Sequence, residues 1–352
     1  MSFLKNFFYT KKQTKSVVLI DIGNDSVAGA YAHYQEDCAP NLLYTQHFSI
    51  EVRGDETHEN ALLRTIQTLG NDLIREGAPT LARITGSGSA DSILVSIDTP
   101  GQETAVHTEH FEAKDPFTFT KNMVEERLKK SAVTISDKQI IDESVIETTL
   151  NGYTTNSPYG KKVHRSSATI FTSLAPAETA LNIRSTIERL FHTRNVHLIS
   201  GVSLRYQALR DVFPHEHNAI ILDTTSVLST SIALIRKNMF VTMTSLTVPL
   251  SDEAWMSSIM SELESIAEQH PLPQTIFLLS RDSDIFPLRQ KMAVTPFARC
   301  GYLKTPPKIV PMIKGMIRVS TSHANTDLSN TTLLLMALTD NKKWMDSYRS
   351  SV

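Results

Sequence analysis

Two aspartates stand out by what flanks them. Asp21 closes the apolar run SVVLI and leads into Gly23, Asn24, Asp25 and Ser26; Asp223 closes AIIL and leads into Thr224, Thr225 and Ser226. A strand that ends in a carboxylate and turns through small polar residues gathers backbone N–H groups and an acid at one point. That arrangement suits phosphate oxygens and, through water, a divalent cation. After each turn the chain resumes as strand, through Val27, Ala28 and Ala30 in the first unit and Ile232 to Ile235 in the second. The same plan used twice implies two equivalent hairpins facing one groove. An aspartate also caps a turn on its own account, so the pattern has an ordinary explanation beside the chemical one.

Other chemistry is thinner on the chain. The loop GSGSA after Thr85 lacks the lysine and helix start of a phosphate cradle and reads as a plain loop. His215 and His217 form an HxH pair without a third ligand nearby, and HExxH, GxSxG and Walker-type motifs do not occur. The basic tip of Lys161, Lys162, His164 and Arg165 reads as a solvated turn. Cys38 and Cys300 have no partner motif and read as packing residues of a reducing compartment.

The 352 residues leave room for two or three compact units. Lysine and arginine number 35 against 37 acids, a net charge of −2, which argues against nucleic acid as a partner. Hydrophobic residues at 41% and charged residues at 20% fit an ordinary globular chain. The 13 glycines are about half the usual ~7%, so the chain is poor in the residue that lets backbone approach phosphate closely. No apolar run reaches the ~18 to 20 residues of a membrane-spanning helix. In the first fifteen residues, Phe3, Leu4, Phe7 and Phe8 share one helical face with Lys11 and Lys12 around it, a pattern for a membrane surface or a partner groove. The apolar stretch is too short for a secretory signal.

The elements that position the two aspartates follow from the hydrophobic pattern. Residues 16 to 52 read as an antiparallel meander, and Asp55 to Glu76 as a helix stopped by Gly77 and Pro79. A strand follows from Ile93 to Ile97. Residues 100–175 have a different texture, a helix through Met123, Val124 and Leu128 and then paired strands around NSPYGKK, and read as an inserted α+β unit. A helix over Leu181 to Leu190 precedes a strand at VHLISGVSL. The second Asp unit, a helix from Ser251 to Glu268, the strand QTIFLLS and an apolar helix over Leu333 to Leu338 complete the chain.

In this order the motifs resemble the FtsA and PilM branch of the actin-like ATPases. DIGNDSV resembles that branch's first phosphate loop, ILDTTSVLSTSIALI its second, and the stretch from PFTFT to SLAP the small subdomain inserted in its first lobe. The resemblance implies a two-lobed α/β fold, with residues 1–15 as a tail, 16–99 and 176–205 as the first lobe, 100–175 as the insertion, 206–345 as the second lobe and 346–352 as a tail. It also implies a nucleotide site at Asp21, Gly23, Asn24, Asp25, Ser26, Asp223, Thr224, Thr225, Ser226 and Ser280, with Asp21 and Asp223 reaching magnesium through water. The departures concern glycine. Thr225 and Ser226 stand where the branch has glycines, and Ser280, Arg281 and Asp282 stand where a Gly-Gly pair seats adenosine; a Cβ there blocks close approach.

Two readings stay open from the sequence. In one, the chain is a scaffold on the cytoplasmic face of the inner membrane with weak or lost ATP binding. It links a bacterial cell-division or type IV pilus assembly to protein partners, by self-association or by gripping a short peptide tail. In the other, it is an actin-like switch that binds Mg-ATP, hydrolyses it slowly, and closes or polymerises on nucleotide.

Overall fold

The computed structural model describes residues 14–98, 102–131, 137–155, 157–226, 229–237, 239–300, 305–312, 314–321 and 330–349. Phe3, Leu4, Phe7, Phe8, Lys11 and Lys12 lie outside them.

The chain opens with β1 (Thr14–Ile22), β2 (Ser26–Gln35) and β3 (Asn41–Ser49), an antiparallel meander. Helices α1 (His58–Asp72) and α2 (Ala78–Thr85) lead to β4 (Ser92–Ile97), parallel to β1. Next come β5 (Glu103–Thr118), α3 (Lys121–Ser131), β6 (Lys138–Leu150), β7 (Tyr153–Thr154) and β8 (Lys162–Pro176), the inserted unit. Helix α4 (Ala177–Phe191), strand β9 (Val196–Ser200) and helix α5 (Gly201–Val212) return to the main body. The second hairpin is β10 (Ala219–Thr224) with β11 (Thr230–Arg236), extended by β12 (Met239–Leu246). Then follow α6 (Trp255–Gln269), β13 (Thr275–Ser280), α7 (Asp282–Ala293), β14 (Lys308–Pro311), β15 (Ser320–Thr321) and α8 (Thr331–Arg349).

The internal repeat extends from the turns to whole sheets. One sheet has the order β15-β3-β2-β1-β4-β9 and the other β12-β11-β10-β13-β14. In each, a three-stranded antiparallel meander continues into two parallel strands, so β1 corresponds to β10 and β4 to β13. The insertion is a separate antiparallel sheet, β5-β8-β6-β7, with its own small core around Phe111, Phe119 and Val163.

Continuous apolar strands demand cover on both faces, and the core shows how it is met. Along β1, Val17 and Leu19 face a central core while Val18, Ile20 and Ile22 face an outer one built with α1 and α4. Along β10, Ala219 and Ile221 enter the same central core, and Ile220 and Leu222 pack toward α6. Between the two sheets lie α5 and α8, packed on each other through Leu204, Ala208, Leu333, Leu334 and Ala337. The layers are therefore helix, sheet, helix pair, sheet, helix, and the two β-hairpin turns meet over one cleft.

Three expectations need correction. The helical path does not stop at Gly77 and Pro79: a π turn, Leu73–Gly77, joins α1 to α2, and Pro79 sits in the first turn of α2, where its missing N–H takes no helical bond away. The stop comes at Gly86, whose φ of 78° forms a left-handed cap. The strand expected through GVSL ends at Ser200, and Gly201 opens α5 instead. Finally, the span expected as the second lobe does not stay there. β15 pairs with β3, and α8 lies against β1 and β2. An apolar helix with Leu333, Leu334, Leu335, Met336 and Ala337 all buried needs cover on every side, which only the space between the lobes provides.

Candidate functional site

β1 and β10 end at the same level, and their turns touch across the cleft. Asn24 Nδ2 donates to Ser229 Oγ at 3.1 Å. Arg281, just before α7, pairs through Nη2 with Asp25 Oδ2 at 2.6 Å, and its Nε donates to the Thr225 carbonyl at 3.0 Å. One arginine thus clasps both turns. The cleft beneath encloses about 390 Å³. Asp21, Gly23, Asn24, Asp25, Ser26, Asp223, Thr225, Ser226 and Ser280 all line it. Thr224 does not: it is fully buried in β10 and donates its hydroxyl to the Leu279 carbonyl.

The floor of the cleft holds two residues absent from the sequence-based site, Asp98 and Arg205. Asp98 follows β4, and Arg205 lies one turn into α5, 5% exposed. Arg205 Nη1 pairs with Asp98 Oδ2 at 2.6 Å, and its Nε pairs closely with Asp223 Oδ2. Asp98 belongs to one sheet's side and Asp223 to the other, so this guanidinium ties the lobes from inside. Burial opposes its charge, but the attraction of Asp223, Asp98 and Asp21 outweighs that, and its affinity for the proton rises above the ordinary arginine value.

The carboxylates answer to the same forces. Asp223 is committed on both oxygens, because Oδ1 accepts from Thr225 N at 3.0 Å and Thr225 Oγ1 at 2.7 Å. Asp98 also accepts from the Val202 amide at the start of α5, and burial raises its pKa against the pull of Arg205. Asp21 is pushed up to about 7, first by burial and then by the neighbouring charge of Asp98, with Arg205 pulling the other way. Close approach of Asp98 to α5 requires glycine at position 201, where an added Cβ would stand 2.6 Å from Asp98 Cγ.

Measured against a nucleotide, the cleft is badly equipped. The Gly23 amide is held by Ser26 O at 2.9 Å and the Thr225 amide by Asp223, so two amides expected at phosphate oxygens already have acceptors. Five aspartates line the cleft against two arginines, a field that disfavours an uncomplexed triphosphate. A divalent cation could offset this, yet the point where Asp98 and Asp223 converge already carries a guanidinium. Among the described residues no group of three or more His, Cys, Asp or Glu side chains is disposed to hold a metal ion. With their facing oxygens spent on the guanidinium, Asp98 and Asp223 do not fit magnesium.

No protein-family model matches the sequence, and no curated protein matches it. Solved structures do. The chain superposes on one from the PilM-PilN type IV pilus biogenesis complex with a TM-score of 0.56 at 12% identity, over 92% of this chain and 97% of that one. The fold is the two-lobed actin-like one. More distant matches are a protein with an actin-like ATPase fold and unknown function from Bacteroides thetaiotaomicron (TM-score 0.43, 8% identity, 94% and 98% covered) and a Ppx/GppA family member from Aquifex aeolicus (0.37, 11%, 80% and 71%). In the actin-like frame the two Asp turns are the facing hairpins of the lobes, and Arg205 and Arg281 are the side chains that join them.

Two outcomes follow from this geometry. Gly201→Ala drives a methyl into the Asp98 carboxylate and should lower stability by about 1 to 3 kcal/mol in chemical denaturation. Asp21 binds its proton more tightly folded than unfolded, so the stability it gives is complete below about pH 4 and is lost as pH rises toward 7. Asp21→Asn should therefore match wild type near pH 4 and exceed it by about 2 kcal/mol at pH 8, a value below the full linkage because cleft water screens the carboxyl. Equal stability differences at the two pH values would contradict the assignment.

Proposed function

We propose that this protein is a PilM-like actin-fold scaffold of a bacterial envelope machine, working from the cytoplasmic face of the inner membrane without a nucleotide cycle. The observation that carries the reading is the buried Arg205 between Asp98 and Asp223, with Arg281 clasping the two turns above it. Side chains of the chain itself hold the lobes where nucleotide and metal would otherwise join them. The fold shared with a type IV pilus biogenesis complex favours a pilus assembly over a division ring as the setting. Its partners are then proteins of that machine, engaged by surface docking, through a short peptide tail, or by self-association. Among the described residues no helix is long and apolar enough to cross a membrane. Contact with the bilayer would come from Phe3, Leu4, Phe7 and Phe8 with Lys11 and Lys12, through apolar burial and attraction to anionic lipid.

The second reading, a Mg-ATP switch, draws on the cleft itself, whose volume lies in the range of small-molecule sites. Titration with a fluorescent ATP analogue in magnesium separates the two. The scaffold reading expects no saturable binding at micromolar concentrations; saturable binding that Asp21→Ala abolishes would establish the switch. Flotation with anionic liposomes tests the membrane contact. The full chain should float and a chain lacking residues 1–13 should not, the cut falling just before β1. Equal flotation of both removes the anchoring role.

A further inference from the structure

We infer that Arg205 is a resident cation that replaces a divalent metal ion, so that the cleft excludes magnesium and its lobes are held together by covalently attached charge. The inference rests on the actin-like reading of the cleft and deepens it, since it specifies what became of the metal. Asp98 and Asp223 come from opposite lobes, and the oxygens they offer toward the middle of the floor are both taken by one guanidinium. Asp21 faces the same charge. The remaining oxygen of Asp223 is used within its own turn. A divalent ion held here through its octahedral water shell needs one or two carboxylates to accept from those waters, and the facing oxygens of Asp98 and Asp223 are spent on planar, fork-shaped donors.

The substitution also has a supporting scaffold. Arg205 lies on α5, whose first turn is fixed from three sides. Asp98 accepts from the Val202 amide, Asp142 of the insertion accepts from the Ser200 amide at 3.3 Å, and Gln102 donates to Ser200 Oγ at 2.9 Å. The helix that carries Arg205 is thus held at its first turn, and the guanidinium is tied at its tip to Asp98 and Asp223. With these pairs intact, a phosphate-bearing ligand finds no oxygen of Asp98 or Asp223 free at the floor to share a metal with.

The test is Mn²⁺ binding to the full chain, followed by electron paramagnetic resonance of the free ion, in wild type, Asp98→Asn, Arg205→Ala and the double variant Arg205→Ala with Asp98→Asn. Wild type should show no saturable site that depends on Asp98. Removing the guanidinium should expose the carboxylates and tighten Mn²⁺ binding by on the order of 100-fold, the double variant losing the gain. The melting temperature of Arg205→Ala should rise with added Mg²⁺ while that of wild type stays unchanged. A wild-type Mn²⁺ site lost in Asp98→Asn overturns the inference, as does a folded Arg205→Ala that gains no metal. If Arg205→Ala folds only with the divalent ion present, the inference stands; if it folds in neither condition, the wild-type measurement decides. ATP binding that is equal in Mg²⁺ and in EDTA would end the nucleotide-free scaffold reading and leave the resident cation in place. Mn²⁺ bound by wild type does the reverse.

Discussion

The rest of this structure depends on one buried guanidinium. Arg205 sits where three aspartates of two lobes converge, and without it those carboxylates would face each other at low dielectric with nothing between them. A buried ion pair is a poor source of net stability, because desolvation consumes most of the Coulomb gain. Breaking one is different, since it strands the partner's charge. The cluster therefore fixes how the lobes meet more than how firmly either lobe folds. Each lobe already has an outer core of its own, around Leu62, Leu69 and Ile183 in the first and Trp255, Ile259 and Leu263 in the second.

Around this centre the other contacts between lobes act in the same direction. Arg281 reaches Asp25 and Thr225, Asn24 reaches Ser229, and α8 crosses back from the end of the chain to cover the first sheet. The insertion is drawn in as well. Gln102 bridges Ser173 of β8 and Ser200, while Asp142 of β6 holds the Ser200 amide immediately before α5. A displacement of α5 would be felt by the cleft floor and by the inserted sheet together, since both are anchored on its first turn.

The broad plan was legible in the sequence, because the two strand-turn-strand units depend on local rules: apolar runs for strands buried on both faces, and small polar residues for turns. The helix pair between the sheets was harder to read. α5 begins at Gly201, a residue that by propensity ends helices; only the carboxylate of Asp98 pressed against it explains its place there. The π turn escaped for a similar reason, as Pro79 signals a stop unless the register shift before it is known. At the site, Asp98 carried a readable signal, an apolar run ending in Asp like those before Asp21 and Asp223. Arg205 carried none. A lone arginine in a helix is normally solvated, and its burial follows from tertiary placement alone.

A metal ion and an arginine differ as fasteners in one respect that matters for function. A metal arrives with its ligand and leaves with it, so lobes held by a metal complex open and close with binding; an arginine is tethered to its helix and its concentration at the site never changes. If the first is replaced by the second, as inferred for Arg205, a ligand-dependent closure would become a permanent one. The Arg281 clasp reinforces this, because it spans the same two turns that phosphates would bridge. A molecule fastened this way would present one surface in every condition, which is what the scaffold role proposed above asks of it. The low glycine content belongs to the same physics. A turn with a side chain in place of bare backbone can secure its own acid, and Thr225 uses its hydroxyl and amide to hold Asp223 toward Arg205.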